Sequence, residues 1–207
     1  GGLAQAFARS QAILELGLEG GDRAVNLATR RILHLVAGLP ADEVERELEA
    51  IGDASANWSA FRSDGDCWAA LVGGDGARAA RLGRGREVQL RAAARAAIGA
   101  AIVGDRGPAR TASDALGALD RWGRWIDATV AGTRAIALAL EGAREEALAT
   151  ARTSMIGFRA QGVRLDEALV ALGVGAALRP ARESDELLAR ARELFEAMGA
   201  VGLTALV

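Results

Sequence analysis

The chain has no tyrosine and no lysine, one cysteine, one histidine and three prolines among its 207 residues. Each scarcity excludes something. A lone thiol, Cys67, cannot close an internal disulfide and fits a reducing compartment, the cytoplasm. With His34 as the lone imidazole, no His/Cys metal site can be assembled from the chain's own side chains. A Ser-His-Asp triad would have to be built around that same residue, and nothing local supports one, since His34 sits between Leu33 and Leu35 in a helical stretch. His34 and Cys67 therefore read as core or half-buried side chains. No catalytic residue, metal ligand or cofactor site emerges, and the chain reads as a protein that is not an enzyme. No stretch of 18 uninterrupted apolar residues occurs, so nothing is expected to span a membrane. The start, GGLAQAFARS, has neither a signal-peptide pattern nor an initiator methionine, and reads as the beginning of a piece of a longer protein. A net charge of −2 gives no general attraction to nucleic acid or to acidic lipid.

What remains is alanine, leucine, arginine and glutamate, all strong helix formers, with few of the β-branched and aromatic residues that favour strands. The pattern agrees. In ESDELLARARELFEAMG the apolar Leu187, Leu188, Ala191, Leu194, Phe195 and Met198 keep a period near 3.6, and Gly199 stands where a C-terminal cap belongs. Ile126, Thr129, Val130, Thr133, Ile136, Ala137 and Leu140 repeat that stripe upstream. Helices are expected near 3–17, 22–37, 41–51, 56–72, 77–85, 87–103, 108–122, 124–140, 144–160, 164–178 and 183–198. Residues 1–66 are less regular than 67–200, and SDGDC at Ser63–Cys67 interrupts its stripe.

The stretch VGGDGARAARLGRGREVQL holds Gly74, Gly76 and Ala79 in a G-x-G-x-x-A spacing, which can mark a strand–turn–helix nucleotide cradle. Two observations oppose that reading. The preceding AALV continues a helical stripe, and Ala96 and Ala97 occupy the place of the ribose-binding acid. A third is recurrence. GDGARA from Gly74, GDRGPA from Gly104 and GAREEA from Gly142 share one form, with a looser copy at Gly21 and a proline version at Arg179. Apart from one wider gap between the first two, the copies recur roughly every 30–40 residues, the spacing of stacked helix pairs, so these are turns whose alanine permits close helix approach. The expected fold is all-α: a single domain, 1–207, forming a right-handed α-solenoid of stacked antiparallel helix pairs.

These turns, together with RAIALALEGAREEALATARTSMIGFRAQGVRLDEALVALGVGAALRP and SDELLARARELFEAMGA, resemble tetratricopeptide-like (TPR-like) repeats. They are similar in particular to the C-terminal arms of large bacterial ATP-binding regulators of the LuxR type or with cyclase-like or SARP-type modules. The likeness is greatest over 124–200. Ala135 and Ala147 match the small positions where paired helices meet, while Ala131 stands where the first helix usually carries tryptophan. The resemblance implies a regulatory or scaffold arm serving a protein partner or an attached module, in a signalling or transcription regulator. Direct nucleic-acid or membrane binding is not expected of this region. The alternative is a sensor that closes its concave face on a small-molecule effector.

Candidate binding residues are polar positions on the first helix of each pair: Arg91, Arg95, Arg124, Asp127, Arg134 and Asp166. Arg78, Arg81, Arg84 and Arg86 add a basic strip, with no aromatic residues interleaved as single-stranded nucleic acid would require. The acidic run Asp42, Glu43, Glu45, Glu47, Glu49 and Asp53 lacks the glycine and spacing of a calcium loop and reads as a solvated face. Trp58, Trp68, Trp122 and Trp125 read as core packing. Reversal of Arg91 and Arg95 to glutamate is expected to abolish partner binding without lowering the melting temperature.

Overall fold

A computed structural model describes residues 2–51, 58–82, 90–120 and 123–207, with side chains in the fourth helix from residue 64 onward. These residues form helices α1 (Gly2–Leu14), α2 (Gly20–Ala37), α3 (Asp42–Ile51), α4 (Trp58–Val72), α5 (Gly76–Leu82) and α6 (Leu90–Val103), then α7 (Arg106–Gly117), α8 (Arg124–Glu141), α9 (Arg144–Ala160), α10 (Arg164–Ala177), α11 (Arg182–Met198) and α12 (Val201–Thr204). No strand occurs among them. The all-helical class is as expected, and so are most boundaries. Three differences have physical causes. The SDGDC segment does not interrupt α4, because Asp64 and Cys67 are buried on its inner side while Asp66 bonds Arg31 of α2. Helix α7 stops at Gly117 rather than near 122, and its last turn closes through the Ala118 N–H on the Asp114 carbonyl. The short α12 was not legible, since four residues carry no period.

The repeated turns work as helix junctions. At the first, Gly74 sits at φ +75°, a left-handed conformation in which a Cβ is strained, and ends α4. Asp75 then caps α5 by accepting the Arg78 N–H at 2.8 Å. Gly104 (φ +72°) and Asp105, which accepts the Gly107 N–H at 3.0 Å, repeat the device between α6 and α7. The alanine five residues beyond each glycine, Ala79, Ala109 or Ala147, is wholly buried. The approach of Gly76 to Gly99 explains why the second glycine is there: a Cβ on Gly76 would lie 2.8 Å from the Gly99 carbonyl oxygen, and one on Gly99 would lie 2.6 Å from the Gly76 carbonyl oxygen. The G-x-G spacing is a backbone crossing of α5 and α6.

Consecutive helices pack on one another from α4 through α11, and the first helices of successive pairs, α6, α8 and α10, also touch each other. Because α6 meets α4, α5, α7, α8 and α10, every residue from Ala92 to Ala101 is buried, and its alanines and Gly99 let so many neighbours approach. The main core takes in Val36 of α2 and runs through α4 to α12, including Trp68, Leu116, Phe158, Leu169, Leu172 and Phe195. Burial of each such large side chain stabilises by about 1.5–3 kcal/mol. A smaller cluster packs Val44 and Leu48 of α3 on Ala24, Leu27 and Ala28 of α2. There Glu45 and Glu47 of the acidic run bond Arg31 and Arg23, each at 2.8 Å. Asp53 lies outside the described residues. Helix α12 returns to α2, where Gly202 lies against the Leu35 carbonyl and the Gly38 N–H.

Candidate functional site

Three of the expected binding residues come together. Arg91 and Arg95 are one turn apart on α6 and so share a face, as residues at i and i+4 must. Arg95 Nη2 donates to Asp166 Oδ1 of α10 at 3.4 Å, with side chains only 8% and 15% exposed. Trp125 of α8 donates its indole N–H to the other oxygen, Asp166 Oδ2, at 3.0 Å. Asp166 thus ties α6 to α8 through both of its oxygens. Each arginine also lies over a tryptophan, Arg95 at 4.6 Å from the Trp68 ring centre and Arg91 at 5.4 Å from that of Trp125. Such cation–π contacts contribute about 0.5–2 kcal/mol, more as they are desolvated. Arg91 is exposed, Trp125 and Asp166 are partly exposed, and Arg95 and Trp68 are buried.

Asp64 of α4 completes the cluster. Burial pushes its carboxyl above the ordinary range, Arg95 and Arg91 oppose that shift, and Asp166 adds to it. Its Oδ1 and Arg95 Nε are the buried side-chain atoms without a hydrogen-bond partner among the described residues. Behind Arg95 and Asp166 lies a recess of about 20 Å³ between α6, α8 and α10, whose other polar lining is Thr129 and Thr133.

The remaining expected residues lie apart from this cluster. Arg124 and Asp127 are exposed at the start of α8. Arg134 is exposed further along α8, paired with Glu146 of α9 at 2.9 Å. It stands between two shallow surface recesses of about 420 and 370 Å³ along α7, α8 and α9, whose apolar lining includes Leu116, Ile126, Val130 and Leu138. Arg78 and Arg81 are exposed on α5; Arg84 and Arg86 lie outside the described residues, as do Trp122 and the side chain of Trp58. The reversal of Arg95 expected above to leave stability unchanged is corrected by this geometry. A glutamate there would be buried beside Asp64 and Asp166, and breaking a buried pair costs about 3–5 kcal/mol.

Sequence reasoning placed Trp68 in the core, where it lies, but missed its contact with Arg95 and the roles of Trp125 and Asp64. A signal existed: Asp64 and Trp68 are one turn apart, like Arg91 and Arg95, so α4 and α6 each present a two-residue polar–aromatic or basic face. Elsewhere, His34 stacks edge-on against Phe7 with ring centres 5.3 Å apart. Cys67 is fully buried, and burial first, then the Asp64 carboxylate, pushes its thiol up to about 12. Among the described residues no cluster of His, Cys, Asp and Glu is placed to hold a metal ion, and no helix is long and apolar enough to cross a membrane. Comparison of the chain with family models, curated proteins and solved structures finds no match.

Proposed function

We propose that the chain is a non-catalytic interaction arm, a TPR-like right-handed α-solenoid through which a bacterial signalling or transcription regulator in the cytoplasm engages a protein partner or its own attached module. The observation that carries this reading is the gathering of Arg91, Trp125 and the Arg95–Asp166 pair from the first helices of three successive helix pairs. Tryptophan and arginine are the residue types that dominate binding hot spots, and a hot spot needs side chains held in place beforehand. Here Asp166 fixes the Trp125 indole and Arg95 neutralises Asp166, which leaves Arg91 and the open edge of Trp125 as the presented pair. The recess between the three helices has room for about one water, which favours recognition at the surface over a metabolite enclosed by the inner helices.

Arg91→Glu tests this without disturbing the buried pair. The affinity of a partner captured on the wild-type chain should fall at least about tenfold, the scale of a hot-spot residue. Arg9→Glu, a reversal on the exposed side of α1, should leave it unchanged. Arg9→Glu should melt with the wild type, and Arg91→Glu within a few degrees of it, because the exposed contact with Trp125 that it loses contributes about 0.5–1 kcal/mol. Equal binding by all three proteins would overturn the proposal.

A further inference from the structure

Four arginines stand along one edge of the stack without an acid of their own. Arg91, Arg124 and Arg164 are at the starts of α6, α8 and α10. Those starts are brought together by Arg91 over the Trp125 ring and by the Trp125 indole N–H on Asp166. Arg124 and Arg164 lie within about 3 Å of these contacts along their helix axes. Helix α5 runs antiparallel to α6, since Gly76 at its start meets Gly99 near the end of α6, so Arg81 in its last turn closes on the same edge. All four residues are exposed, and none forms an ion pair among the described residues. The opposite edge differs: Arg144 and Arg182, at the starts of α9 and α11, hold Glu183 and Glu186. Helices α5 and α6 carry Arg78, Arg81, Arg91 and Arg95 and no carboxylate. Of the acids near the edge, Asp166 gives one oxygen to Arg95 and the other to Trp125, and Asp64 is buried. Exposed Asp120 and Asp127 remain, flanking the start of α8. The edge thus has surplus positive charge on a chain whose net charge is −2.

We propose that this edge binds an acidic, extended segment of a protein partner. The inference specifies the partner of the interaction arm and rests on that reading. A guanidinium takes a carboxylate through two parallel bonds, and arginines with no acid to surrender gain those bonds without breaking others. Neighbouring helix axes lie about 8–10 Å apart, so the edge from α5 across α6 to α8 and α10 is on the order of 20 Å wide, the reach of about six extended residues. Asp120 and Asp127 interrupt the arginines, which suits a peptide with spaced carboxylates and opposes the unbroken phosphate charge of a nucleic acid. The half-buried Trp125, its N–H already bonded, is no row of stacking platforms for bases.

Fluorescence anisotropy with a labelled peptide of alternating glutamate and glycine tests this, beside an alternating lysine–glycine peptide and an oligothymidylate of equal length. At low ionic strength the wild type should bind the acidic peptide, leave the basic one free, and prefer the acidic peptide to the oligonucleotide. Arg124→Glu/Arg164→Glu leaves Arg91 and Trp125 intact and places acids at helix starts, where the dipole favours them, so it should fold. It should bind the acidic peptide at least about tenfold more weakly. Arg9→Glu/Arg106→Glu makes the same change in net charge on exposed residues elsewhere, and should stay within about twofold of the wild type. Arg124→Gln/Arg164→Gln adds no acid and should show a smaller loss, which keeps the test open if the reversal does not fold. No binding of the acidic peptide, equal weakening by the Arg9/Arg106 pair, or tighter binding of the oligonucleotide would each overturn the inference. A partner captured on the wild type, lost by Arg91→Glu but kept by Arg124→Glu/Arg164→Glu, would leave the interaction arm standing and remove the acidic segment.

Discussion

The crossing of α5 and α6 makes a sharp demand on Gly99. A Cβ placed there lies 2.6 Å from the Gly76 carbonyl oxygen, 2.8 Å from Ala79 Cβ and 3.1 Å from the Ala80 nitrogen. Comfortable separations between such atoms are about 3.5–4.0 Å, so the two helices must part by close to an ångström. Two of the three obstacles are backbone, which cannot rotate aside. Overpacking of this kind costs about 1–3 kcal/mol, while alanine in place of glycine returns up to about 1 kcal/mol through helix propensity. Gly99→Ala should therefore destabilise by about 1–2 kcal/mol. Gly117→Ala is the matched control, because nothing lies within 4 Å of its added Cβ, and it should be neutral or stabilising by up to about 1 kcal/mol. Urea unfolding followed by far-ultraviolet circular dichroism, with the denaturant slope unchanged, measures both. If Gly99→Ala were as stable as Gly117→Ala, the crossing would be wrong, and the turn reading of the G-x-G stretch would lose its structural basis.

Other outcomes follow from the same packing. Glu167 is buried at the α9–α10–α11 junction, and burial pushes its carboxyl up, but the bonds from Arg159 and Arg190 outweigh that and hold it below the usual range. A lowered carboxyl stabilises above the ordinary carboxylate pKa, and that contribution disappears as pH falls through the lowered value. Glu167→Gln should thus cost about 1–3 kcal/mol at pH 7, the worth of hydrogen bonds to a charged group, and the gap to wild type should narrow below about pH 4 in urea titrations. Cys67, with its thiol pushed up to about 12 and fully buried, should react with a disulfide reagent at pH 8 only as fast as the protein unfolds; rapid labelling of native protein contradicts this. Gly202→Ala places a Cβ against the Leu35 carbonyl. Amide hydrogen exchange should then rise in α12 and the end of α2 while α8 and α9 keep their protection.

Much of the fold was legible because its signals are local. Glycine followed by a capping aspartate ends one helix and starts the next whatever surrounds it, as Gly74–Asp75 and Gly104–Asp105 do. The buried alanines of the turns could be read from recurrence alone. The site was legible only in part, because choosing polar residues on first helices of pairs finds Arg91, Arg95 and Asp166 but cannot separate them from Arg124, Asp127 and Arg134. That separation depends on helix rotation and on the meeting of α6 with α10, across 71 residues of sequence between Arg95 and Asp166. Trp125 looked like core packing because nothing in its neighbourhood shows that its N–H has a carboxylate to reach. Asp64 looked like a break in a stripe, since a buried acid is recognisable only once Arg95 and Arg91 are placed beside it.

If the first helices meet at one polar cluster, Arg95 and Asp166 must be energetically coupled, and a double-mutant cycle on Arg95→Met and Asp166→Asn measures that coupling. Asp166→Asn keeps the side-chain shape and its amide oxygen can still accept from Trp125, while Arg95→Met keeps the unbranched stem and removes the guanidinium, and the cycle cancels each residue's contacts elsewhere to leave the link between α6 and α10. A coupling of about 1–3 kcal/mol is expected in urea unfolding, within the range of about 0.5–3 kcal/mol for residues in direct contact or in one network. Additive effects, with coupling below about 0.5 kcal/mol, are what distant and independent residues show and would contradict it.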